Sequence, residues 1–345
     1  MTEQPWINLV DTSLRDGMSS VSHQFSVDQV AAVARGLDRA RIGTIEVAHG
    51  IGLGASSIQY GFAAASDAEY VRAAVEAVDN ADIAVLYVPG IATLAELAEA
   101  QQAGARTVRI AIHCTEADCA EQPIGWAREN GMRVMSFLMM SHKLDPAALA
   151  EQARKLDAYG AQVVYVVDSA GALLPHDAAA RVAALREAIG ADIGFHAHNN
   201  LGVGIANSLA AAENGATYLD GSLRGLGASA GNAQTEVLAA AAERAGYRTG
   251  ADLFGLIDTA EHIMAPLMKQ PQVIDETALV LGYAGVYSTF YHPTKRAAAK
   301  FGVPERDILI ELGRRGVIGG QEDMIVDVAA ELARSVSAIS TTEDQ

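Results

Sequence analysis

The sequence predicts a parallel (β/α)8 barrel followed by a small helical extension, and three observations lead to this fold class. Eight short apolar runs recur through the first two thirds of the chain. Alanine-rich stretches with helical spacing separate them, as at 27–40 and 146–160. The intervals, roughly 25–40 residues, leave room for one crossover helix each. A doubly wound open sheet is the alternative, but the number of strands and the absence of GxGxxG after the first strand count against it.

The predicted strands are nearly continuous hydrophobic runs, which is typical of parallel strands covered on both faces. In chain order they are INLVD (7–11), TIEVAHG (44–50), IAVLYVPG (83–90), TVRIAIHC (107–114), RVMSFLMM (133–140), VVYVVDSAG (163–171), IGFHAHN (193–199) and TYLDGSLRG (217–225). After residue 245 this alternation stops, and helical patterns such as FGLIDTAEHIMAPLMK and MIVDVAAELARSV follow, separated by Gly and Pro turn signals. We therefore predict two domains, a catalytic barrel over 1–245 and a helical extension over 246–345.

Composition excludes several classes of partner. Half of the 345 residues are hydrophobic, which is enough for a sizeable core. Acidic residues (42) outnumber basic ones (25), and the formal net charge is -17. Because such a surface repels phosphate backbones and anionic lipids, we expect neither nucleic-acid nor membrane partners. With two cysteines, Cys114 and Cys119, and no signal-peptide pattern, we expect a cytoplasmic protein.

Polar residues collect where the predicted strands end, which is the rim that carries the active site in barrels of this type. In chain order they are Arg15, Asp16, Glu46, His49, His113, Glu116, His142, Asp168, His196, His198 and Asn199. Five of the nine histidines therefore belong to this rim.

The motif FHAHNN is the most specific element of the rim. Residues two apart on a strand point to the same side, so His196 and His198 can both face the barrel interior. Together with Asp16 they form a set able to hold a divalent metal with open positions for substrate. The alternative is an inward-facing histidine in a hydrogen-bonded core. Arg15 can stabilise an oxyanion, or can form a structural ion pair with Asp16 or Glu46.

In order along the chain, the motifs DTSLRDG, IEVAHGIGLGASS, HCTEAD, FLMMSHK, YVVDSAGAL, GFHAHNNLG, GLGASAGNA, GYAGVYS and GGQED resemble those of the 4-hydroxy-2-oxovalerate aldolase family. That family belongs to the metal-dependent barrels of isopropylmalate synthase and hydroxymethylglutaryl-CoA lyase. The resemblance implies cleavage of 4-hydroxy-2-oxo acids to pyruvate and an aldehyde, with Mn²⁺ or with Mg²⁺, Co²⁺ or Zn²⁺. It also implies an acylating aldehyde dehydrogenase partner that receives the aldehyde by channelling, with the C-terminal helices as a communication domain. We expect an oligomer.

The resemblance also implies roles for individual residues. Asp16, His196 and His198 match the metal ligands, with Asn232 as an additional one near the metal, and Arg15 matches the enolate-stabilising arginine. The remaining matches are the active-site tyrosine Tyr287, Ser169 near the pyruvate carboxylate, and Leu86 and Val88 on the aldehyde side.

For four of these positions the residues alone also allow a structural interpretation. Tyr283, Tyr287 and Tyr291 form a stripe at helical spacing, which is typical of core packing. Asn232 lies in a Gly-rich turn, where Asn is common. Leu86 and Val88 also fit plain barrel core.

Two positions depart from the family pattern. The family carries a histidine that acts as acid and base four residues after the arginine, and Ser19 stands in its place here. A serine hydroxyl has no pKa near neutrality and cannot replace a proton-shuttling imidazole. His23 follows one helical turn later, and Ile51 replaces an aspartate. The metal and enolate residues are thus all present, whereas the part that handles the 4-hydroxyl is altered.

Three functions follow from this pattern. The first is a metal-dependent pyruvate aldolase in which Tyr287, or a water near His23, supports proton transfer. The second is a Claisen-type reaction with an acyl-CoA, which the lack of a clear basic patch disfavours. The third is a non-catalytic scaffold subunit for a dehydrogenase, against which the retention of every candidate metal ligand argues.

Overall fold

The computed structural model contains a closed barrel in which each strand pairs in parallel with its sequence neighbours and the eighth pairs with the first. The strands are β1 (Asn8–Leu14), β2 (Thr44–Val47), β3 (Asp82–Tyr87), β4 (Thr107–His113), β5 (Arg133–Met139), β6 (Val163–Asp168), β7 (Asp192–Ala197) and β8 (Tyr218–Gly221). The structure describes the backbone of residues 4–343 and the side chains of residues 4–335. The predicted (β/α)8 fold is confirmed, and the open-sheet alternative is wrong.

A helix follows each strand and covers the outside of the barrel. These helices are α1 (Val27–Arg39), α2 (Asp67–Ala77), α3 (Leu94–Gln102), α4 (Glu121–Glu129), α5 (Pro146–Tyr159), α6 (Pro175–Ala188), α7 (Gly204–Glu213) and α8 (Thr235–Arg244). Local sequence explains where they begin: the Ser26 side chain caps α1 in a reciprocal capping box with Gln29. Helix α5 begins with Asp145 and Pro146 and ends at Gly160, whose φ of 107° requires glycine.

Seven of the eight strands end earlier than the apolar runs predict, and at β6, β7 and β8 the reason is that the chain turns over the rim. After β6 the backbone amides of Ala172 and Leu173 donate to the Asp168 carboxylate, which closes a tight turn. After β8 a short 3₁₀ turn contains Arg224 at a φ of 56°. His198 lies one residue beyond β7, where an isolated bridge pairs it with Asn232.

Beyond the barrel, α9 (Leu253–Asp258) continues as a π turn and a 3₁₀ turn to Leu267. A single regular helix over 254–269 is therefore not formed, since Pro266 has no amide hydrogen to extend it. Leu256 and Met264 pack into the same core as the barrel helices. The domain boundary at residue 245 stays a prediction.

The remaining helices have a core of their own. They are α10 (Glu276–Ala284), α11 (Tyr291–Phe301), α12 (Glu305–Arg315) and α13 (Asp323–Glu343). Leu281, Phe290, Ile308, Leu312 and Val328 meet in this second core. None of the helices in the described part of the chain has the length and apolar content needed to cross a membrane.

The three tyrosines at helical spacing do not lie on one helix, so the stripe is not formed, although Tyr287 and Tyr291 do pack against the second core. Helix α10 ends at Gly285, whose φ of 63° reverses the chain. Tyr283 is therefore 78% exposed, while Tyr287 follows in the next turn and Tyr291 begins α11.

Candidate active site

A cavity of about 1280 Å³ opens at the C-terminal ends of the barrel strands, and residues from α11 and α13 form its outer wall. Ten of the eleven predicted site residues line it: Arg15, Asp16, Ser19, His23, Leu86, Val88, Ser169, His196, His198 and Tyr287. The eleventh, Asn232, is buried directly behind Asp16. The loops of the barrel and the C-terminal segment thus bring together side chains that are up to 272 positions apart in sequence.

Asp16, His196 and His198 converge on one point of the cavity floor. The Asp16 Oδ2 atom lies 3.5 Å from His196 Nε2 and 3.7 Å from His198 Nε2, and the three ligand atoms lie within 4.8 Å of one another. Asn232 Nδ2 donates to the same carboxylate at 3.1 Å, and its own Oδ1 is buried without a partner. Two imidazoles, a carboxylate and a free amide oxygen form a donor set that suits a divalent transition metal.

Burial disfavours the charged form of each ligand, and the neighbours decide the outcome. Burial would raise the pKa of Asp16, but Arg15 and the two histidines outweigh it and hold that pKa well below its usual range. Burial would lower the pKa of His196, but Asp16 and Asp220 raise it. For His198 burial prevails and lowers the pKa to about 4. Asp16 is therefore ionised and His198 neutral at pH 7, which are the forms that bind metal.

Arg15 makes the ion pairs that its structural interpretation required, and it also faces the cavity. Its Nε donates to Glu46 Oε2 at 2.7 Å, and its Nη1 lies 3.7 Å from Asp16 Oδ2. The residue is 8% exposed, with its guanidinium on the cavity wall beside Gly50. The two interpretations are thus compatible, because the pairing holds the guanidinium where it can meet an anionic substrate.

Two charged residues below the cavity were missed by sequence reasoning. Arg109 of β4 and Asp220 of β8 are fully buried and pair with each other, and Asp220 Oδ2 also lies 2.8 Å from His196 Nδ1. A signal was present, since each is a charged residue inside an apolar strand, where an unpaired charge would be very costly. Their partners became identifiable only once the barrel had closed.

The side of the cavity next to β2 contains Ser19 and His23. The Ser19 Oγ is buried and has no hydrogen-bond partner among the described residues. The His23 ring stacks on His49 with 3.7 Å between centroids, and its Nδ1 accepts a hydrogen bond from the Gly50 amide at 3.3 Å. Burial and His49 lower the pKa of His23 to about 4. His23 therefore lies on the cavity wall as a neutral imidazole. It lies close to Ser19, since both side chains are next to Gly50, and Ile51 also lines this wall.

Tyr287 closes the cavity from the C-terminal segment. Its hydroxyl lies 3.7 Å from Met139 Sδ, a weak acceptor, and burial raises its pKa to about 12. Ser169 Oγ accepts a hydrogen bond from the Met140 amide at 2.9 Å. Leu86 and Val88 add apolar surface at the end of β3. The hydroxyl of Tyr287 is thus protonated at neutral pH and available to donate.

The other predicted rim residues have mixed positions. His113 lines the cavity, whereas His49 and His142 lie outside its lining and fix loops. His142 Nε2 lies 3.1 Å from the Gly285 carbonyl, which joins the barrel rim to the end of α10. Asp168 binds the backbone after β6, and Glu116 is exposed to solvent.

Two family models match the chain. Residues 6–263 match the HMGL-like model and residues 272–334 match the DmpG-like communication domain. The 4-hydroxy-2-oxovalerate aldolase 2 of Rhodococcus opacus (strain B4) is 79% identical over 330 residues, which cover 96% of this chain and 95% of the relative. The 4-hydroxy-2-oxovalerate aldolase of Carboxydothermus hydrogenoformans is 54% identical over 329 residues, which cover 95% and 98%.

Solved structures share the fold at low sequence identity. The carboxyl transferase domain of Rhizobium etli pyruvate carboxylase with pyruvate superposes with a TM-score of 0.80 at 17% identity, over 97% of this chain and 62% of that chain. The HMG-CoA lyase from Brucella melitensis gives 0.66 at 20% identity, over 77% of this chain and all of that chain. At these identities the likeness concerns the fold alone.

Proposed function

The chain belongs to the 4-hydroxy-2-oxovalerate aldolase family, and we propose that it cleaves 4-hydroxy-2-oxo acids to pyruvate and an aldehyde with a bound divalent cation. As a member of this family it is a carbon–carbon lyase. The observation that carries the finer proposal is the convergence of Arg15 with Asp16, His196 and His198 on the floor of one cavity.

Asp16, His196 and His198 would hold the cation, with Asn232 as a further oxygen ligand, and Mn²⁺ is our first choice ahead of Mg²⁺, Co²⁺ and Zn²⁺. The donor set and the buried, unpartnered Asn232 Oδ1 support this assignment. When bound, such an ion supplies Lewis acidity towards the oxygens of the 2-oxo acid.

Arg15 would stabilise the charge that develops during cleavage. The reaction removes the proton of the 4-hydroxyl and breaks the C3–C4 bond, which gives an aldehyde carbonyl and the enolate of pyruvate. A proton then adds to C3 to form the methyl group. Glu46 holds the Arg15 guanidinium at the cavity wall, so that it can donate hydrogen bonds to the enolate without reorganising.

Tyr287 would relay the 4-hydroxyl proton, since its oxygen can accept that proton while its own proton passes to a water, and His23 is the second candidate. The Tyr287 hydroxyl has only a weak acceptor at Met139, so it is available to a substrate oxygen or a water. The Nδ1 of His23 already accepts from Gly50, and its lowered pKa makes it a weak base. Ser19, in place of the family's histidine, would leave room at this end of the substrate.

The substrate's two ends would meet different surfaces. Ser169, at the end of β6, would lie near the carboxylate, whereas Leu86 and Val88 would contact the aldehyde portion. The match of residues 272–334 to a communication domain suggests an aldehyde dehydrogenase partner. We propose that this is an acylating enzyme that receives the aldehyde by channelling, and that the protein is an oligomer.

A panel of 4-hydroxy-2-oxo acids, assayed for pyruvate release after chelation and after addition of Mn²⁺, tests the proposal. We expect release that depends on Mn²⁺ for at least one member of the panel. Release that is unchanged after chelation would contradict the metal assignment, and no release from any member would favour the non-catalytic scaffold.

A further inference from the structure

We propose that Arg109 is a positioning residue that holds both the Arg15 guanidinium and His196 in their working orientations. The proposal rests on the proposed function, which gives Arg15 and His196 their roles. It adds a side chain that would act only through Glu46 and Asp220, without contacting the substrate or the metal.

The position of Arg109 follows from the alternation along β4. Residues 109, 111 and 113 point to the same side of the strand. Ala111 and His113 line the cavity, so Arg109 lies one step below its floor, fully buried. Its guanidinium carbon lies 4.2 Å from the ring centroid of Phe137 and 5.0 Å from that of Tyr165. These aromatic faces fix the plane of the guanidinium group.

One arm of the guanidinium group supports Arg15. The Nη1 of Arg109 lies 3.0 Å from Glu46 Oε2. The same oxygen accepts the hydrogen bond from Arg15 Nε at 2.7 Å. A single carboxylate oxygen therefore links the two arginines, and Glu46 cannot turn away from Arg109 without also moving Arg15.

The other arm supports His196. The Nη2 of Arg109 donates to Asp220 Oδ2, and the same oxygen lies 2.8 Å from His196 Nδ1. An ionised carboxylate can only accept, so Asp220 holds a proton on Nδ1 of the imidazole, and Nε2 is the nitrogen that faces Asp16 and the proposed metal position. This is the tautomer and ring orientation that a metal ligand needs.

The charges show why one arginine serves both arms. Asp16, Glu46 and Asp220 are three buried carboxylates, and Arg15 alone cannot pair with all of them. Arg109 provides the second positive charge between two of the three. Without it, each arm would end in a buried carboxylate that has lost the arginine shared by both arms and is freer to reorient.

The test separates the two arms with four variants of the full chain. Glu46→Gln weakens the Arg15 arm, Asp220→Asn weakens the His196 arm, and Arg109→Met removes both while keeping a similar volume. Arg106→Met is the matched control, because Arg106 precedes β4 and is exposed. The two readouts are the Mn²⁺ dissociation constant, from the electron paramagnetic resonance signal of free Mn²⁺, and deuterium exchange at the pyruvate methyl at saturating Mn²⁺.

We expect Asp220→Asn to weaken Mn²⁺ binding about 10- to 100-fold, the range of outer-shell partners, with little change in exchange at saturation. Glu46→Gln should slow methyl exchange at saturating Mn²⁺ with little change in Mn²⁺ binding, and Arg109→Met should show both losses. A fifth variant, Arg109→Lys, should recover one of the two losses but not both, since a single ammonium can reach one carboxylate well but not two. The control should match the wild type in both readouts.

Unchanged readouts in folded Arg109→Met would overturn the proposal, and so would losses there that neither single-arm variant shares. If Arg109→Met does not fold, the two single-arm variants decide. The proposal is refuted if Asp220→Asn does not mainly weaken Mn²⁺ binding or if Glu46→Gln does not mainly slow methyl exchange. A wild-type protein that neither binds Mn²⁺ nor exchanges the methyl hydrogens refutes the proposed function instead, so the two failures are distinguishable.

Discussion

The two sides of the cavity are built differently. On the proposed metal side, comprising Asp16, His196, His198, Arg15 and Asn232, the charged groups are buried, lie at strand ends or on the loops directly after them, and have partners within 3.7 Å. On the proposed aldehyde side, comprising Ser19, His23, Leu86, Val88 and Tyr287, most polar groups belong to loops and to the C-terminal segment. The Ser19 hydroxyl has no partner, and the Tyr287 hydroxyl has a weak one.

This difference shows which part of the chemistry the barrel itself determines. Strand register places the metal side, so exchanging one residue there would disturb several ion pairs at once. The aldehyde side is placed by loops, including Ser22 and His23 at positive φ, and can change by single substitutions. We therefore expect enolate chemistry to depend on the barrel and substrate choice to depend on the loops.

The largest effect should come from the metal ligands. His196→Ala or His198→Ala should reduce metal-dependent cleavage by more than about 10²-fold, the upper end of what outer partners contribute. Bound metal, measured by elemental analysis after dialysis, should fall in parallel, while circular dichroism stays that of a folded barrel. His176→Ala is the control, because that histidine is exposed on α6. Full metal content in either ligand variant would show that the site lies elsewhere.

Tyr287→Phe should affect the chemistry of the aldehyde side and leave that of the metal side nearly unchanged. Loss of the hydroxyl should slow aldol cleavage by about 10²-fold, the lower end of general acid–base contributions, and leave methyl exchange of pyruvate nearly unchanged. Tyr283→Phe, at a 78% exposed position, provides the control. A larger loss of cleavage in His23→Gln than in Tyr287→Phe would move the proton-transfer role to His23.

Ser19→His should test the aldehyde side by increasing activity rather than by removing it. An imidazole at this position should raise cleavage of 4-hydroxy-2-oxovalerate about tenfold, below the 10²–10⁴ of a well-placed general acid or base. The pH profile should acquire an ionisation near ~6.5. If Ser19 instead suits a larger aldehyde, the variant should lose activity on that substrate and gain little on oxovalerate. An unchanged rate and pH profile would show that position 19 does not decide the chemistry.

The smallest effect concerns stability against acid. Burial lowers the pKa of His142 to about 4, with Lys143 adding to the shift. Since the unfolded chain binds this proton more readily, the stabilisation is complete above ~6.5 and is lost as the pH falls towards 4. From pH 7 to pH 5 this histidine should account for about 2 kcal/mol of the free energy of unfolding. His142→Gln should reduce by that amount the loss of urea-denaturation stability over the interval, with His23 and His198 accounting for a remaining slope, and an equal slope in both proteins would contradict the assignment.

Much of the fold could be predicted because the strands are long apolar runs and the helices carry clear start signals. The helical stretches predicted at 27–40 and 146–160 begin where α1 and α5 begin, directly after the capping residues Ser26 and Asp145. Strand ends were less predictable, since polar side chains such as Asp168 turn the chain before the apolar run ends.

The candidate site was predictable where neighbouring residues carry it and not where distant strands meet. The spacing of His196 and His198 shows in the sequence, whereas Arg109 and Asp220 meet only across the closed barrel. The position of Tyr287 depends on the left-handed turn at Gly285, which breaks the apparent helical stripe of tyrosines.

Deuterium exchange at the pyruvate methyl, followed by NMR in D₂O with Mn²⁺, tests most directly whether the metal side alone generates the enolate. We predict exchange above the free-metal control in the wild type, and a loss of about 10²–10³-fold in Arg15→Ala, the magnitude of a removed oxyanion donor. Arg35→Ala, an exposed position on α1, should exchange like the wild type. Exchange no faster than with free Mn²⁺, or equal exchange in Arg15→Ala, would contradict the account.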